Sequence, residues 1–205
     1  MKTEIISIFH PEALQIALEI IRDGGLIAFP TDTVYGLGAD AFNDLAVNTI
    51  YIAKGRSIEK AIPLLIGDLD QLSLVSRKVN FKSEKIASHF WPGPLTIIFP
   101  KQISIPISVT PYETVGVRIP DLQCTKDILK FTGPLAVTSA NISGMSSPTN
   151  ARDVFNQLNG RIPLILDGGP TPGGIPSTVV DCSGDEPIIL REGPISLLEI
   201  KNFLS

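Results

Sequence analysis

Thiols and histidines are scarce in this chain of 205 residues. It has two cysteines, Cys124 and Cys182, and two histidines, His10 and His89, none of which stand at the close spacing of metal ligands. A disulfide framework and a structural zinc site are therefore excluded, because both need more of these side chains near one another. The sequence also has no G-x-S-x-G or H-E-x-x-H pattern, which argues against serine hydrolase and zinc protease chemistry.

The chain also has no excess of positive charge and no long apolar run. The formal net charge is −4, which argues against nucleic-acid binding through general attraction to phosphates but permits a local basic patch. No apolar run approaches the ~20 residues of a membrane helix. Residues 1–4 do not begin a basic and then apolar secretory signal. We therefore expect a cytoplasmic protein without a membrane partner.

The pattern that is present is an alternation of strands and helices. Residues 11–23 carry apolar side chains at helical spacing, and residues 26–29 are typical of a short buried strand that ends before a polar loop. Three closely spaced strand candidates, at 164–166, 178–180 and 188–190, leave little room for crossover helices. The sequence predicts a single-domain α/β fold over residues 1–205, with a twisted, mostly mixed β-sheet flanked by helices.

Polar residues with possible binding roles follow the ends of the predicted strands, where open α/β sheets usually place ligands. Four of them are cationic: Lys54, Arg56, Arg118 and Arg191. Arginine presents a planar fork to carboxylate or phosphate, and lysine supplies a point charge. The set indicates a pocket for a nucleotide or another ligand with several negative oxygens. For each cation alone, helix-dipole complementation or an ordinary ion pair is the alternative.

Two common nucleotide-binding motifs do not account for this pocket. Residues 36–41 match G-x-G-x-x-A, but they are separated from the end of the preceding strand, and no acidic residue closes a second strand about 20 positions later. A G-x-x-x-x-G-K-[ST] loop is absent. The residues therefore point to neither a Rossmann dinucleotide site nor a P-loop.

Seven segments in order resemble the YrdC-like threonylcarbamoyl-AMP synthase family. They are residues 30–38 (PTDTVYGLG), 54–56 (KGR), 92–96 (PGPLT), 115–120 (VGVRIP), 138–144 (TSANISG), 177–181 (STVVD) and 191–193 (REG). Each segment alone is weak, but their order and spacing cover nearly the whole chain. The resemblance implies a YrdC-like α/β fold and an enzyme, a nucleotidyltransferase.

The activity that the resemblance implies is L-threonylcarbamoyladenylate synthesis. L-Threonine, bicarbonate and ATP are condensed to threonylcarbamoyl-AMP and pyrophosphate, for N6-threonylcarbamoyladenosine formation in tRNA. We expect Mg²⁺ to accompany ATP, held mostly by substrate oxygens and water. Bicarbonate and a free amine form a carbamate without a protein nucleophile, so the lack of an obvious general base fits this reaction.

The resemblance also implies site residues. The L-threonine set is Thr31, Tyr35 (as pocket wall), Arg118, Val137 and Ser177. The ATP set is Lys54, Arg56, Ser139, Asn141, Ser147 and Arg191. No catalytic acid or base is implied, and no protein metal ligand. Instead of acid or base catalysis, the resemblance implies that Lys54, Arg56 and Arg118 position the substrates.

One loop departs from the family pattern, and other functions stay open. Residues 57–62 are longer than the family's usual Asn-Pro-Leu segment, and Gly67 stands near its histidine, so contacts from this loop are not carried over. An RNA-binding or ribosome-assembly module is one alternative, because the same cations could follow a phosphate backbone. A carbamoyl-adenylate-forming domain is the other. Transient contact with a tRNA-modifying transferase complex or with tRNA is a further expectation.

Overall fold

The structure is a computed structural model that describes residues 2–172 and 174–204. Within these residues there are ten strands: β1 (Glu4–Ser7), β2 (Ile27–Phe29), β3 (Gly36–Asp40), β4 (Leu64–Leu65), β5 (Leu95–Pro100), β6 (Thr114–Arg118), β7 (Leu135–Ser139), β8 (Leu164–Asp167), β9 (Thr178–Asp181) and β10 (Ile188–Arg191). The helices are α1 (Ala13–Arg22), α2 (Asp44–Lys54), α3 (Leu72–Val75), α4 (Phe81–Phe90), α5 (Gln123–Thr132), α6 (Ala151–Leu158) and α7 (Leu197–Leu204), with a 3-10 turn at Leu69–Gln71.

All ten strands join one sheet in the order β1-β8-β2-β3-β7-β4-β6-β5-β9-β10. Strand β8 runs parallel to β1 and β2, β4 parallel to β6, and β5 parallel to β9, while the other neighbours are antiparallel. The predicted α/β fold with a mixed sheet is confirmed. No helix in the described residues has both the length and the apolar character needed to cross a membrane.

The hydrophobic core lies on both faces of the sheet because strand side chains alternate. In β8, Leu164 and Leu166 belong to one cluster of buried residues and Ile165 to the other. Helix α1 buries the stripe that its spacing predicts, including Ala17 and Ile21. The sheet is therefore packed on both sides, which makes it a rigid support for the loops at its strand ends.

One local expectation was wrong. The segment after residue 29 was expected to be a polar loop, but Gly36–Asp40 forms β3 between β2 and β7. A Cβ on Gly36 would lie 2.8 Å from Val137 Cγ1, so glycine lets the strand approach its neighbour, although glycine is a poor strand signal. Helix α2 is capped by the Asn43 side chain, which accepts from Ala46 N (3.1 Å).

Candidate functional site

A cavity of about 170 Å³, here called the main cavity, opens at the strand ends near the middle of the sheet. Strands β3, β4, β5, β6, β7 and β10 and the loops beside them contribute to its wall. The lining residues are Thr31, Thr33, Val34, Gly36, Arg56, Ala61, Pro63, Leu65, Thr96, Arg118, Val137, Thr138, Ser139, Pro176, Ser177 and Arg191. Three guanidinium groups and several hydroxyls thus meet, and the described lining holds no carboxylate.

Arg118, at the end of β6, is the most deeply buried of these cations, with 5% of its surface exposed. Its Nε donates to the carbonyl of Gly93 (2.9 Å), its Nη1 to Thr33 Oγ1 (3.2 Å), and its Nη2 to Asp32 Oδ1. Burial lowers the pKa of Arg118 below its usual value, and the adjacent Asp32 carboxylate opposes that shift. The guanidinium is therefore a fixed cation at the cavity wall.

The Thr31 and Thr33 hydroxyls form a hydrogen-bond chain that begins at Arg118 Nη1. Thr31 Oγ1 donates to the carbonyl of Val34 (2.7 Å) and lies 2.9 Å from Thr33 Oγ1. Because a threonine hydroxyl has one hydrogen, Thr33 must be the donor in that pair. Thr31 Oγ1 also accepts from Thr33 N (3.1 Å), so its capacity is filled. Thr31 lines the main cavity, but its hydroxyl has no free hydrogen for a ligand.

Ser177 links the two predicted ligand sets. Its carbonyl accepts from Arg191 Nε (3.0 Å) and Nη2 (2.7 Å), and its hydroxyl accepts from Nη2 (3.0 Å). Ser177 Oγ also lies 2.9 Å from Thr96 Oγ1, with either atom able to donate. One hydrogen of this hydroxyl pair is therefore left at the main cavity, whichever residue carries it. Thr96 is absent from the predicted site residues; its place in the PGPLT segment was the available signal.

Arg56 and Arg191 carry unused donors. Arg56 Nη2 donates to the carbonyls of Lys60 (3.3 Å) and Ala61 (3.2 Å), whereas its buried Nε has no hydrogen-bond partner among the described residues. Arg191 is anchored through Nε and Nη2, and its Nη1 has no hydrogen-bond partner in the part of the chain that the structure describes. Burial lowers the pKa of Arg191, and the nearby charges of Arg118 and Arg56 lower it further. This repulsion between cations is relieved by an anion.

Lys54 does not lie in the cavity wall. Its ammonium group is buried and donates to the carbonyls of Ser139 and Asn141, the latter at 2.6 Å, and to Asn141 Oδ1 (3.4 Å). Burial, with a smaller effect of Arg56, lowers the pKa of Lys54 to about 7. Lys54 braces the 139–141 loop, because its side chain points from the end of α2 into that loop, and its expected contact with ATP stays a prediction.

Some of the other predicted site residues line the main cavity, and others lie outside its lining. Val137 and Ser139 line the main cavity. Asn141 is buried behind it, where Nδ2 donates to the carbonyls of Ile142 and Met145 (both 2.8 Å), and half-buried Ser147 also lies outside the lining.

Tyr35 was expected in the pocket wall, and this placement is wrong. The Tyr35 side chain is fully buried on the other side of β3, and its hydroxyl donates to the carbonyl of Gly169 (2.7 Å). Burial raises the pKa of Tyr35 to about 12.

A second, more apolar cavity of about 270 Å³ adjoins the main cavity and is called the side cavity. The two share Ala61, Pro63, Thr96 and Arg191 as lining residues. Ile98, Tyr112 and Leu190 are among the other residues around the side cavity. A ligand with a charged part and a flat apolar part can therefore span both cavities.

No resident metal site accompanies this arrangement in residues 2–172 and 174–204. No group of three or more His, Cys, Asp or Glu side chains there is placed to hold a metal ion. A divalent cation at the main cavity would depend on oxygens that its ligand brings.

Comparison with known proteins identifies the family of the chain. The Sua5, YciO and YrdC family model, described as "Telomere recombination", matches residues 19–193. The chain belongs to this family. It is 40% identical to a threonylcarbamoyl-AMP synthase of Pyrococcus abyssi over 193 residues, which are 93% of this chain and 57% of that protein. A putative threonylcarbamoyl-AMP synthase of Mycobacterium tuberculosis is 35% identical, over 92% of this chain and 87% of that protein.

Solved structures of the Sua5/YciO/YrdC family have the same fold. The structure of P. abyssi Sua5 complexed with L-threonine superimposes with a TM-score of 0.95 at 39% identity, over 98% of this chain and 61% of that one. Escherichia coli YciO gives 0.86 at 25% identity, over 97% and 99%. The expected YrdC-like fold is confirmed. The chain spans only 57% and 58% of the lengths of the P. abyssi and Bacillus subtilis relatives.

Proposed function

We propose that this Sua5/YciO/YrdC chain is an L-threonylcarbamoyladenylate synthase, which condenses L-threonine, bicarbonate and ATP to threonylcarbamoyl-AMP and pyrophosphate. One observation carries the proposal: Arg56, Arg118 and Arg191 converge on a cavity whose described lining contains no carboxylate. Such a site stabilises a polyanion, and its described lining has no carboxylate, imidazole, thiol or amine that could act as a general base. The names of the relatives at 35–40% identity support the same activity.

The two substrates divide the main cavity by charge and size. We assign the threonine carboxylate to Arg118, where a planar fork can bind it in two places, beside the hydroxyl pair of Thr96 and Ser177. The triphosphate is assigned to the unused donors of Arg56 and Arg191. The adenine base is assigned to the side cavity, because Arg191 lines both cavities and the side cavity is the more apolar of the two.

The reaction needs positioning more than acid or base groups. The threonine amine adds to the carbon derived from bicarbonate, with loss of water, to give a carbamate. A carbamate oxygen then attacks the α-phosphorus of ATP, and the bond from that phosphorus to the bridging oxygen breaks to release pyrophosphate. Fixed guanidinium groups lower the barrier by holding the reactants in line and by stabilising charge that spreads over the phosphate oxygens. We propose that Mg²⁺ enters bound to ATP, as part of that substrate.

The direct test is product formation. With ATP, Mg²⁺, bicarbonate and L-threonine, we expect pyrophosphate and a threonine-containing adenylate, detected by chromatography and mass spectrometry. Leaving out L-threonine is the matched control. Arg118→Ala is expected to raise the KM for L-threonine most, and Arg191→Ala the KM for ATP, because each removes the cation assigned to that substrate.

The alternative functions give different results. Folded protein that forms no threonine-dependent product contradicts the proposal. Use of carbamoyl phosphate instead of bicarbonate and threonine indicates carbamoyl-adenylate chemistry. RNA binding with a steep salt dependence, and no affinity for ATP, indicates an RNA-binding module.

The fate of the product follows from its chemistry. A threonylcarbamoyl-adenylate is a reactive mixed anhydride, so we propose that a transferase complex acting on tRNA consumes it soon after release. The cytoplasmic location stays a prediction, as does transient contact with that complex or with tRNA.

A further inference from the structure

Asp32 is a carboxylate paired with the cavity-lining Arg118, and it has no role in the reaction described above. It lies between Thr31 and Thr33, and only 11% of its side chain is exposed. Oδ1 of Asp32 forms an ion pair with Nη2 of Arg118. Arg118 and Thr33 line the main cavity, whereas Asp32 is not among its described lining residues. Asp32 therefore contacts Arg118 without itself belonging to the described cavity wall.

Three fixed acceptors hold the Arg118 guanidinium. They are the carbonyl of Gly93, the hydroxyl of Thr33 and the carboxylate of Asp32, one for each of the three nitrogens. A guanidinium has five N–H groups, with two on each terminal nitrogen. One N–H on Nη1 and one on Nη2 are consequently left without a partner in the described residues. A carboxylate binds at two points when it accepts from one N–H on each terminal nitrogen.

The charge of Asp32 matters because Arg118 is so deeply buried. An isolated buried guanidinium is costly, and its rotation toward another acceptor would lower that cost. Asp32 compensates the charge and accepts one hydrogen, so the orientation of the fork does not depend on a ligand being bound.

We infer that Asp32 is a positioning residue, which holds Arg118 so that its two unused N–H groups face the carboxylate of the amino acid substrate. The inference rests on the proposed function, since it presumes that Arg118 binds that carboxylate. The geometry also defines a rival arrangement, in which Asp32 competes with the substrate for Arg118. The two arrangements predict opposite effects of removing the charge.

The test is calorimetric titration of wild-type protein and Asp32→Asn with L-threonine and, separately, with Mg-ATP. The variant keeps the shape of the side chain but removes its charge. We expect the Kd for L-threonine to rise on the order of 10- to 100-fold, as for loss of a hydrogen bond to a charged group, with the Kd for Mg-ATP unchanged. L-Threonine amide, which lacks the carboxylate, should bind both proteins equally at millimolar concentration.

Two further variants complete the design. Glu113→Gln is the matched control, because it removes a carboxylate from an exposed ion pair with Arg77, and it should leave both Kd values unchanged. Asp32→Glu keeps the charge but displaces it, so an intermediate Kd for L-threonine is expected. If Asp32→Asn does not fold, the inference is tested with Asp32→Glu alone. An unchanged Kd for L-threonine in Asp32→Glu then contradicts the inference.

The outcomes separate the inference from the proposed function. A lower Kd for L-threonine in Asp32→Asn overturns positioning in favour of competition. An unchanged Kd, or an equal loss for L-threonine, its amide and Mg-ATP, overturns positioning while the proposed function stands. Wild-type protein that binds Mg-ATP but not L-threonine overturns both.

Discussion

Lys54 and Arg56 are two positions apart, yet their charged groups have different surroundings. Gly55 ends α2 in the left-handed region (φ 59°), which turns the chain between them. Lys54 points inward to the 139–141 loop, and Arg56 points to the main cavity. The family resemblance implied that both cations of the KGR segment bind ATP. A sequence pattern cannot separate them, because the carbonyls that bind Lys54 lie far along the chain.

Removing the Lys54 ammonium should weaken the fold. Lys54→Met keeps the aliphatic volume but leaves the buried carbonyls of Ser139 and Asn141 without a donor, so we expect the free energy of unfolding to fall by about 1–3 kcal/mol. Urea denaturation measures this. Lys82→Met is the matched control, since Lys82 also donates to two carbonyls but at the surface, and its loss should stay within about 0.5 kcal/mol. Equal losses in the two variants would contradict the assigned role.

The titration of Lys54 gives a pH prediction with a definite sign. Its pKa is lowered to about 7 from 10.5, so between these values the unfolded chain binds more protons at this group than the folded one. The contribution of Lys54 to the free energy of unfolding therefore increases as the pH rises from 7 toward 10.5. The same contribution decreases as the pH falls, and it is lost once the pH has passed below 7. The measurement is the difference in unfolding free energy between wild type and Lys54→Met from pH 6.5 to 10. A constant difference would refute the shift.

At the scale of elements, the segment after β10 shows why the REG pattern ends in glycine. Gly193 packs against the backbone at the start of β9, where a Cβ would lie 2.6 Å from the Ser177 carbonyl carbon and 2.7 Å from the Pro176 oxygen. The same stretch holds Arg191 through Ser177. This close approach couples the β9–β10 hairpin to the ligand site.

Gly193→Ala should therefore lower the stability of the fold and weaken the binding of Mg-ATP. We expect a loss of about 1–3 kcal/mol in unfolding free energy from overpacking, because backbone atoms must move. The Kd for Mg-ATP should rise as well, because Ser177 no longer anchors Arg191 in place. Gly184→Ala in the exposed turn of the same hairpin is the control, since its nearest atom would be Glu186 O at 4.0 Å. A Gly193→Ala variant as stable as wild type would show that the contact can relax.

Elements with apolar periodicity were predictable, and those without it were not. Helix α1 agrees with its sequence pattern because its buried residues recur at helical spacing, and strand β8 agrees because it begins with a continuous run of buried apolar residues. Strand β3 was missed because two of its five residues are glycine, and β1 because its side chains are mostly exposed at the sheet edge.

At the scale of the whole molecule, the main cavity connects strands that lie apart in the sheet. Its lining reaches from β3 to β10, so a bound ligand contacts several strands that must all be in place. The two core clusters share these strands, with Leu135 and Val137 of β7 in one cluster and Ala136 in the other. Unfolding of one half of the sheet would thus destroy the site.

Ligands should accordingly stabilise the described residues as a unit. L-Threonine or Mg-ATP at 100 times its Kd is expected to add about 2.7 kcal/mol to the free energy of unfolding. For a chain of this size, that corresponds to a rise in Tm of roughly 5–10 °C. Differential scanning calorimetry with each ligand tests it, with D-threonine as the control. A melt in which only part of the transition shifts would indicate that the cavity does not connect the halves of the sheet.

The sequence by itself determined the α/β class, most of the strands and helices, and the family, because apolar periodicity and ordered motifs are properties of the chain read locally. Only the tertiary structure decided which polar groups face the cavity. Lys54 turns to a loop, Asp32 compensates Arg118, and Thr96 joins Ser177, since strand pairing and register bring together residues that no local pattern relates.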